Sequence, residues 1–532
     1  MSYPRFTIRR QLLSTSALLV GGLFMGMPMG ALAQAARSGV LVIGTTQKPR
    51  HLNAAVQSGV ATMSPAAQLF SSPLRMDGQW KAQPYLAERF ELSPDNRSVT
   101  LHLRKDALFH DGRPVTAEDV KFTLEAIRDN HPFTSMYGPL NAVTISDKHT
   151  AVVRLSEPHP ALLLAMSTSL TPILPAHVFS GSDLKTHPRN ASPIGSGPFK
   201  LVEFKPGEHI VMERFDKFFL NDQPRLDRLI FKEYKDAGSM LLAFEAGEID
   251  AVQQVSGPDL ARVRKVAGVQ MNENAAPAIG PLTWLAFNLK NAKLTDKRVR
   301  QAISFAIDRD FIVKGLSVNT VKRSTGPIAS GSPFYTAEVE PYDLNLAKSI
   351  QLLDAAGIKP GADGNRFTLE VDCPPGFPAL KSVQEYLKPA LAKVGITVVI
   401  RNSPDFPTWA RRVAGQQFEA TVDGVWNWGD PVIGVHRTWL SSNIRPGVIW
   451  SNTQSYSNPK VDELLASAAK EMNLAKRKAL YKQFQKIVVD EVPVAFVVES
   501  TWGEAWSSKV VNPPKGIWGN IDSMGETGIR KA

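Results

Sequence analysis

The sequence predicts a mixed α/β fold of several domains, and three observations carry that prediction. Segments with strand periodicity alternate with segments of helical periodicity along the chain. Hydrophobic residues make up 43% and charged residues 21% of the 532 residues, the balance of a globular protein with a large core. No repeat of solenoid type and no low-complexity tract interrupts the alternation. At roughly 100–200 residues per domain, the length accommodates two to four domains.

The first segment is set apart from this core. Arg5, Arg9 and Arg10 form a basic head, residues 11–36 carry no charge, and the apolar run from Ala17 is broken by glycines and Pro28. Ala31-Leu32-Ala33 is a small-x-small cleavage site, so residues 1–33 read as a cleavable signal peptide, with Gln34 opening the mature chain. Arg9-Arg10 before Gln11-Leu12-Leu13 also resembles a twin-arginine export signal. No cysteine stands at the cleavage site, so no lipid anchor of the lipoprotein type is expected. The single cysteine, Cys373, excludes an intramolecular disulfide. Export without an anchor fits a Gram-negative periplasm.

The elements follow in order. Residues 40–44 read as a first strand, buried on both faces. Val99, Leu101 and Leu103 alternate with polar residues, as do Leu369 and Val371. Thr116-Ala117-Glu118-Asp119 resembles a capping box that starts a helix. Thr295 or Asp296 starts another, with Val299, Ala302, Ile303, Ala306, Ile307 and Asp310 at helical spacing; five of these six are apolar, so the face is core. A third helix begins near Asn458-Pro459 and carries Val461, Leu464, Leu465 and Ala468. Residues 195–219, GSGPFKLVEFKPGEHIVMERFDKFF, hold the sharpest punctuation. A Gly-Ser-Gly-Pro turn, a strand, a Pro206-Gly207 turn and a second strand ending in aromatics make a β-hairpin.

Charge and motifs exclude several classes. The formal charge of +11 is dispersed, and no RNP-like or zinc-finger pattern accompanies it, so no nucleic-acid partner is expected. There is no G-x-S-x-G and no H-E-x-x-H. Residues 326–331 have the glycine spacing of a phosphate loop, but Ser332-Pro333 stand where Lys and Ser/Thr are required. His102 and His110 lack a third ligand, so no metal site is nominated there. No catalytic residue, metal or cofactor is expected. The strongest contact candidates are Trp426, Asn427, Trp428 and Asp430, which follow a strand at 420–424. Residues at strand ends commonly meet ligands in α/β clefts. Two indoles offer wide apolar faces with one donor each, and Asn427 and Asp430 add polar groups. The competing roles are hinge packing for the tryptophans and a turn cap with Pro431 for Asp430. Cys373 reads as a small buried apolar residue, and Arg411-Arg412 as a solvated helix face.

Four segments, in order, resemble the family 5 solute-binding proteins of ABC importers, which bind dipeptides, oligopeptides or nickel chelates. These are 111–125 (DGRPVTAEDVKFTLE), 195–219, 245–252 (EAGEIDAV) and 285–307 (LAFNLKNAKLTDKRVRQAISFAI). The resemblance implies a type II periplasmic binding protein: two α/β lobes, a hinge and an extra domain. It implies lobe 1 at 34–68, 221–288 and 497–532, the extra domain at 69–220 and lobe 2 at 289–496. By the same resemblance, Thr46 and Gln47 in the loop after the first strand face the cleft. Trp284 precedes the hinge segment and either lies over the ligand or packs the core. Arg323 is a softer contact candidate. The implied function is a monomeric periplasmic receptor, not an enzyme. It takes a small solute, first of all a peptide or peptide-like compound, by hinge closure and delivers it to the membrane permease.

The resemblance also marks two departures. Dipeptide and oligopeptide binders of the family carry an aspartate after a tryptophan for the peptide amine, where this chain has Asn427 or Trp428. They can also use an arginine for the carboxylate, where this chain reads Asp372-Cys373-Pro374-Pro375. An oligosaccharide, an opine or a metal chelate therefore stays open as the solute. A secreted hydrolase or a periplasmic chaperone stays open as another class.

Overall fold

The computed structural model describes residues 39–530 apart from Ser256; the signal peptide, its cleavage site and Gln34 lie outside the described residues. Three sheets organise the chain. The first has seven strands, in the order Val269–Asn272, Gly503–Ser507, Ala251–Val255, Val40–Thr45, Arg228–Glu233, His209–Arg214 and Phe199–Lys205. Val40–Thr45 is parallel to both its neighbours, and the outer pairings are antiparallel. Burial on both faces of this strand needs correction. Leu41 and Ile43 are fully buried, but Val40 and Val42 only partly, because the second face meets just a small cluster around the helix Ala237–Glu245.

The hairpin expected at 195–219 forms, and its pairing places it at the edge of this first sheet. His209–Arg214 pairs with Arg228–Glu233 from Lys232↔His209 to Arg228↔Glu213, although the resemblance puts it in a domain ending at 220. Its leading glycines answer a close approach. A Cβ at Gly195 or Gly197 would collide with the carbonyl oxygens of Leu69 and Gln68 at the end of the helix Val60–Leu69. The Gly197 N–H donates to the Leu69 carbonyl at 2.9 Å. His110 fastens the loop from the other side: Nδ1 accepts the Gly195 N–H at 3.2 Å, and Nε2 lies 3.1 Å from the Gly197 carbonyl. Burial lowers the His110 imidazole to about 4, which keeps it neutral for this role.

The second sheet is antiparallel, ordered Ala87–Leu92, Ser98–Leu103, Thr150–Leu155 and Leu140–Asp147. The helix Ala117–Asn130 packs on it and starts as predicted. One Asp119 oxygen accepts the Thr116 N–H at 2.8 Å and the Thr116 hydroxyl at 2.9 Å, while the other accepts the Ala176 N–H at 2.9 Å.

The third sheet runs Val321–Arg323, Val494–Ser500, Pro281–Phe287, Ala420–Trp426, Phe367–Asp372 and Ile396–Arg401, the last three parallel. Pro281–Phe287 falls inside the segment 221–288 expected for lobe 1, yet it lies between Val494–Ser500 and Ala420–Trp426 in this other sheet. The helix Lys297–Phe305 is capped by Asp296, and Val299, Ala302, Ile303, Ala306 and Ile307 are buried. Asp310 leaves that face, because the helix ends at Phe305 and Asp310 falls in a separate helix. The helix Pro459–Ala468 starts at Asn458 and buries the four predicted apolar residues. Two crossovers join the first and third sheets, one before Pro281 and one after Ser500. They touch where the Ala275 N–H donates to the Trp502 carbonyl at 3.1 Å.

Candidate ligand-binding site

The parallel strands Phe367–Asp372 and Ala420–Trp426 end side by side, with Asp372 in register with Thr421. Their carboxyl ends define the site. A cavity of about 430 Å³ opens beyond the first strand, walled in part by Cys373, Phe377, Lys381, Gln384 and Ser403. The second strand ends at Trp426, partly buried and packed against a hydrophobic core that joins the first lobe and extra domain to the turn at 428–433. Its ring meets Trp450 edge-on at 6.2 Å, and Trp450 lies 5.7 Å from Phe406. An aromatic wall thus runs from the junction of the two halves along the third sheet.

The neighbours of Trp426 have other occupations. The Asn427 side-chain oxygen accepts the Ala329 N–H at 2.6 Å, and its amide donates to the Pro327 carbonyl at 3.2 Å. Its backbone N–H donates to the Ile279 carbonyl at 2.8 Å. Asn427 therefore ties together the first crossover and the loop at 326–331, both halves of its amide being engaged by the chain. Gly280 is required in that knot: its φ is +51°, and a Cβ there would sit 2.8 Å from Ala329 Cβ and 3.1 Å from Asn427 Cβ. Trp428 is 5% exposed and packs 5.3 Å from Phe133 of the extra domain. Asp430 is likewise 5% exposed. Its carboxylate accepts two hydrogen bonds from the buried Arg477, at 2.6 and 2.7 Å, and one from the Val432 N–H at 3.0 Å. Burial alone would raise its carboxyl, but Arg477 outweighs burial and holds it below the ordinary range.

The remaining predicted residues are dispersed. Thr46 and Gln47 follow the strand Val40–Thr45 on the first sheet, half-buried, with the Gln47 N–H donating to Thr45 Oγ1 at 3.0 Å. Trp284 is 3% exposed and packs edge-on against Trp439 at 5.7 Å, so it is a core residue, but its indole N–H finds no acceptor. Arg323 is on an edge strand, two strands removed from Ala420–Trp426, and bonds Asp343 at 2.6 Å. The solvated face read at Arg411-Arg412 needs correction for Arg412, which turns inward to pair with the fully buried Asp372 and donates to Ser403 at 2.6 Å. The cation missing from the sequence at 372–375 thus arrives from the helix Phe406–Ala414, already matched to an aspartate. Cys373 is buried, and burial pushes its thiol up to about 12, so it is no nucleophile at neutral pH. Among the described residues, no group of three or more His, Cys, Asp or Glu could hold a metal ion.

Three residues at the site escape motif reading: Asp423, Arg437 and Trp450. Asp423 left one signal, a lone carboxylate in an otherwise apolar strand. Arg437 and Trp450 left none, because tertiary packing alone brings them there.

Comparison with known proteins bears on what such a site serves. Residues 81–454 match the model of the bacterial extracellular solute-binding proteins, family 5. Heme-binding protein A of Haemophilus influenzae is 28% identical over 444 residues, 78% of this chain and 78% of its own. Di/tripeptide-binding protein 3 of Pseudomonas aeruginosa is 25% identical over 525 residues, 92% of this chain and 94% of its own. The crystal structure of NikZ from Campylobacter jejuni with Ni(L-His) superposes with a TM-score of 0.79 at 25% identity, covering 92% of this chain and 98% of that one. The fold is that of the type II periplasmic binding proteins, as the four segments implied. The chain belongs to family 5 of the bacterial extracellular solute-binding proteins and is a substrate-binding receptor of an ABC importer.

Proposed function

We propose that this receptor captures a peptide or peptide-like solute between its lobes in the periplasm and releases it unchanged to the permease. The observation that carries the reading is the position of Trp426. It stands partly buried at a strand end of the third sheet, packed against a core that both halves build, and at the head of an aromatic wall. A solute laid against that wall touches both halves at once. It then binds the closed form better than the open one, which is the condition for closure to follow binding. Closure expels water, and each polar contact strengthens in the drier site. The crossovers before Pro281 and after Ser500 are the hinge, and Asn427 braces it.

Support for a peptide comes from the relative named for di- and tripeptides and from the aromatic wall that starts at Trp426. The receptor acts as a monomer without nucleic acid or catalysis, and its leader sends it to the periplasm by cleavage before Gln34. The extra domain runs from 69 to the start of the hairpin, and lobe 2 includes Pro281–Phe287. Thr46 and Gln47 line the opposite wall of the cleft, while Asn427, Trp428, Asp430, Trp284 and Arg323 shape or support the cleft without touching solute.

Mass spectrometry of solute released by mild denaturation of freshly purified protein tests the reading. The expected result is a peptide-like molecule of unchanged covalent structure. Trp426→Ala should weaken binding of that molecule about tenfold or more, since a wide aromatic contact is worth over about 1.4 kcal/mol. Covalent turnover of the molecule would overturn the receptor reading, and an unchanged affinity would remove Trp426 from the site.

A further inference from the structure

Two opposite charges stand near the strand end at Trp426, neither in an ion pair with a described residue. Asp423 is 8% exposed. One of its oxygens accepts the Gly424 N–H at 2.7 Å, and the other forms no well-made hydrogen bond among the described residues. It is in register with Trp284 on the neighbouring strand. The indole N–H groups of Trp284 and Trp450 are both buried without a hydrogen-bonded acceptor, and that of Trp450 favours the Asp423 carboxylate from nearby. Asp423 also acts through space on Cys373, a wall of the 430 Å³ cavity.

Arg437 belongs to the helix His436–Trp439. Its Nε donates to the Gly434 carbonyl at 3.2 Å, and its guanidinium lies 5.1 Å from the centre of the Phe133 ring, across the junction of the halves. Its two terminal nitrogens have no hydrogen-bond partner among the described residues. Asp423 and Arg437 attract one another through space. Neither forms an ion pair with the other or with any other described residue. Burial pushes the Asp423 carboxyl up to about 7 and the Arg437 guanidinium down to about 10. Both shifts run in the direction of a charge taken from water and not compensated.

Such groups are unfavourable for folding, and two of opposite sign, near enough to attract yet unjoined, need a reason. Resting on the receptor reading above, we infer that Asp423 and Arg437 are the charge-reading pair of the cleft, Asp423 taking a protonated amine of the solute and Arg437 its acidic group. A small zwitterion compensates both charges, with the free indole N–H groups as further donors to the Asp423 carboxylate. A neutral sugar would leave both charges stranded. Asp372 does not face the amine, because it is fully buried and paired through one oxygen with Arg412. Lys381, in the wall of the cavity, is exposed to solvent.

Calorimetric titration tests the pair. The protein, stripped of solute and refolded, is titrated with L-alanyl-L-phenylalanine, its N-acetyl derivative and its C-terminal amide. For the unaltered protein, each block should weaken binding about 30-fold or more. In Asp423→Asn the penalty for acetylation should vanish while that for amidation remains; in Arg437→Gln the reverse should hold. Asp423→Asn preserves size, Arg437→Gln shortens the side chain but keeps it polar, and the blocked probes test the unaltered protein without any variant. A penalty that persists in its matching variant overturns the assignment, as does failure of the free dipeptide to bind. If the dipeptide fails but another solute is released on denaturation, only the pair falls and the receptor stands. If no solute is released and none binds, the receptor reading falls with it.

Discussion

Two aspartates seven positions apart meet two arginines of the same half of the molecule, with opposite outcomes. Asp430 and Arg477 close on each other through two bonds at 2.6 and 2.7 Å, with side chains only 5% and 4% exposed. The aspartate is held low and the arginine high, because mutual attraction exceeds the penalty of burial. Asp423 is nearly as enclosed and Arg437 only partly buried, but the two stay apart, and burial wins for both. Sequence distance does not separate the two cases; whether the partner reaches does. The closed pair docks the turn after Trp426 onto the helix Leu474–Glu491, which makes it architecture. The open pair keeps its hydrogen-bonding capacity for a third party.

The largest effect should come from breaking the closed pair. Arg477→Met removes the bidentate partner and strands a buried carboxylate, which costs about 3–5 kcal/mol. Urea denaturation of the solute-free protein measures it, and a loss below about 1 kcal/mol would mean that the pair does not hold the turn. Replacing both members by apolar residues of similar size should recover much of the loss, since the penalty lies in the unpaired charge.

The open pair should show itself through pH. A carboxyl raised by folding is neutral in both states below its unfolded value, near 4, and contributes no penalty there. As pH rises toward the folded value of about 7, the unfolded chain ionises first and stability is lost. Stability of the unaltered protein relative to Asp423→Asn should therefore fall by roughly 2–4 kcal/mol between pH 4 and 7, and level off above. Asp430 has the opposite sign: its lowered carboxyl contributes stability above pH 4 that disappears as pH falls through the folded value. Denaturant midpoints across that range, with and without Asp423, separate the two. A flat difference would mean that Asp423 is ionised and compensated from a source other than Arg437.

How much of this was open to reading from sequence depends on how local each feature is. The Thr116–Asp119 start and the Val461–Ala468 face were legible, because capping and helical spacing involve residues within a few positions of each other. The hairpin was legible as a hairpin, but not its membership: pairing with Arg228–Glu233 is a long-range choice of register. The strand end at Trp426 could be found from its aromatics, whereas the roles of its neighbours could not. Asn427 and Asp430 look like contacts until Ala329, Pro327 and Arg477 arrive from 47 to 100 positions away to engage them. Arg412 is the same lesson reversed, a surface doublet in the sequence and a buried counter-charge in space.

A third pair bounds the comparison from below. Lys470 bonds Glu157 at 2.6 Å between lobe 2 and the extra domain, but the two side chains are 52% and 38% exposed. Water already solvates both ions, and ordering two long side chains offsets part of the attraction, so the pair should contribute less than about 1 kcal/mol. Lys470→Ala should therefore leave the urea midpoint nearly unchanged, and what remains should disappear at high salt. A larger loss would place the pair beside Asp430–Arg477 as a clamp across the halves, with closure then governed in part by surface charge. A small one leaves the distinction with burial and reach: buried and joined for architecture, buried and apart for solute, exposed for neither.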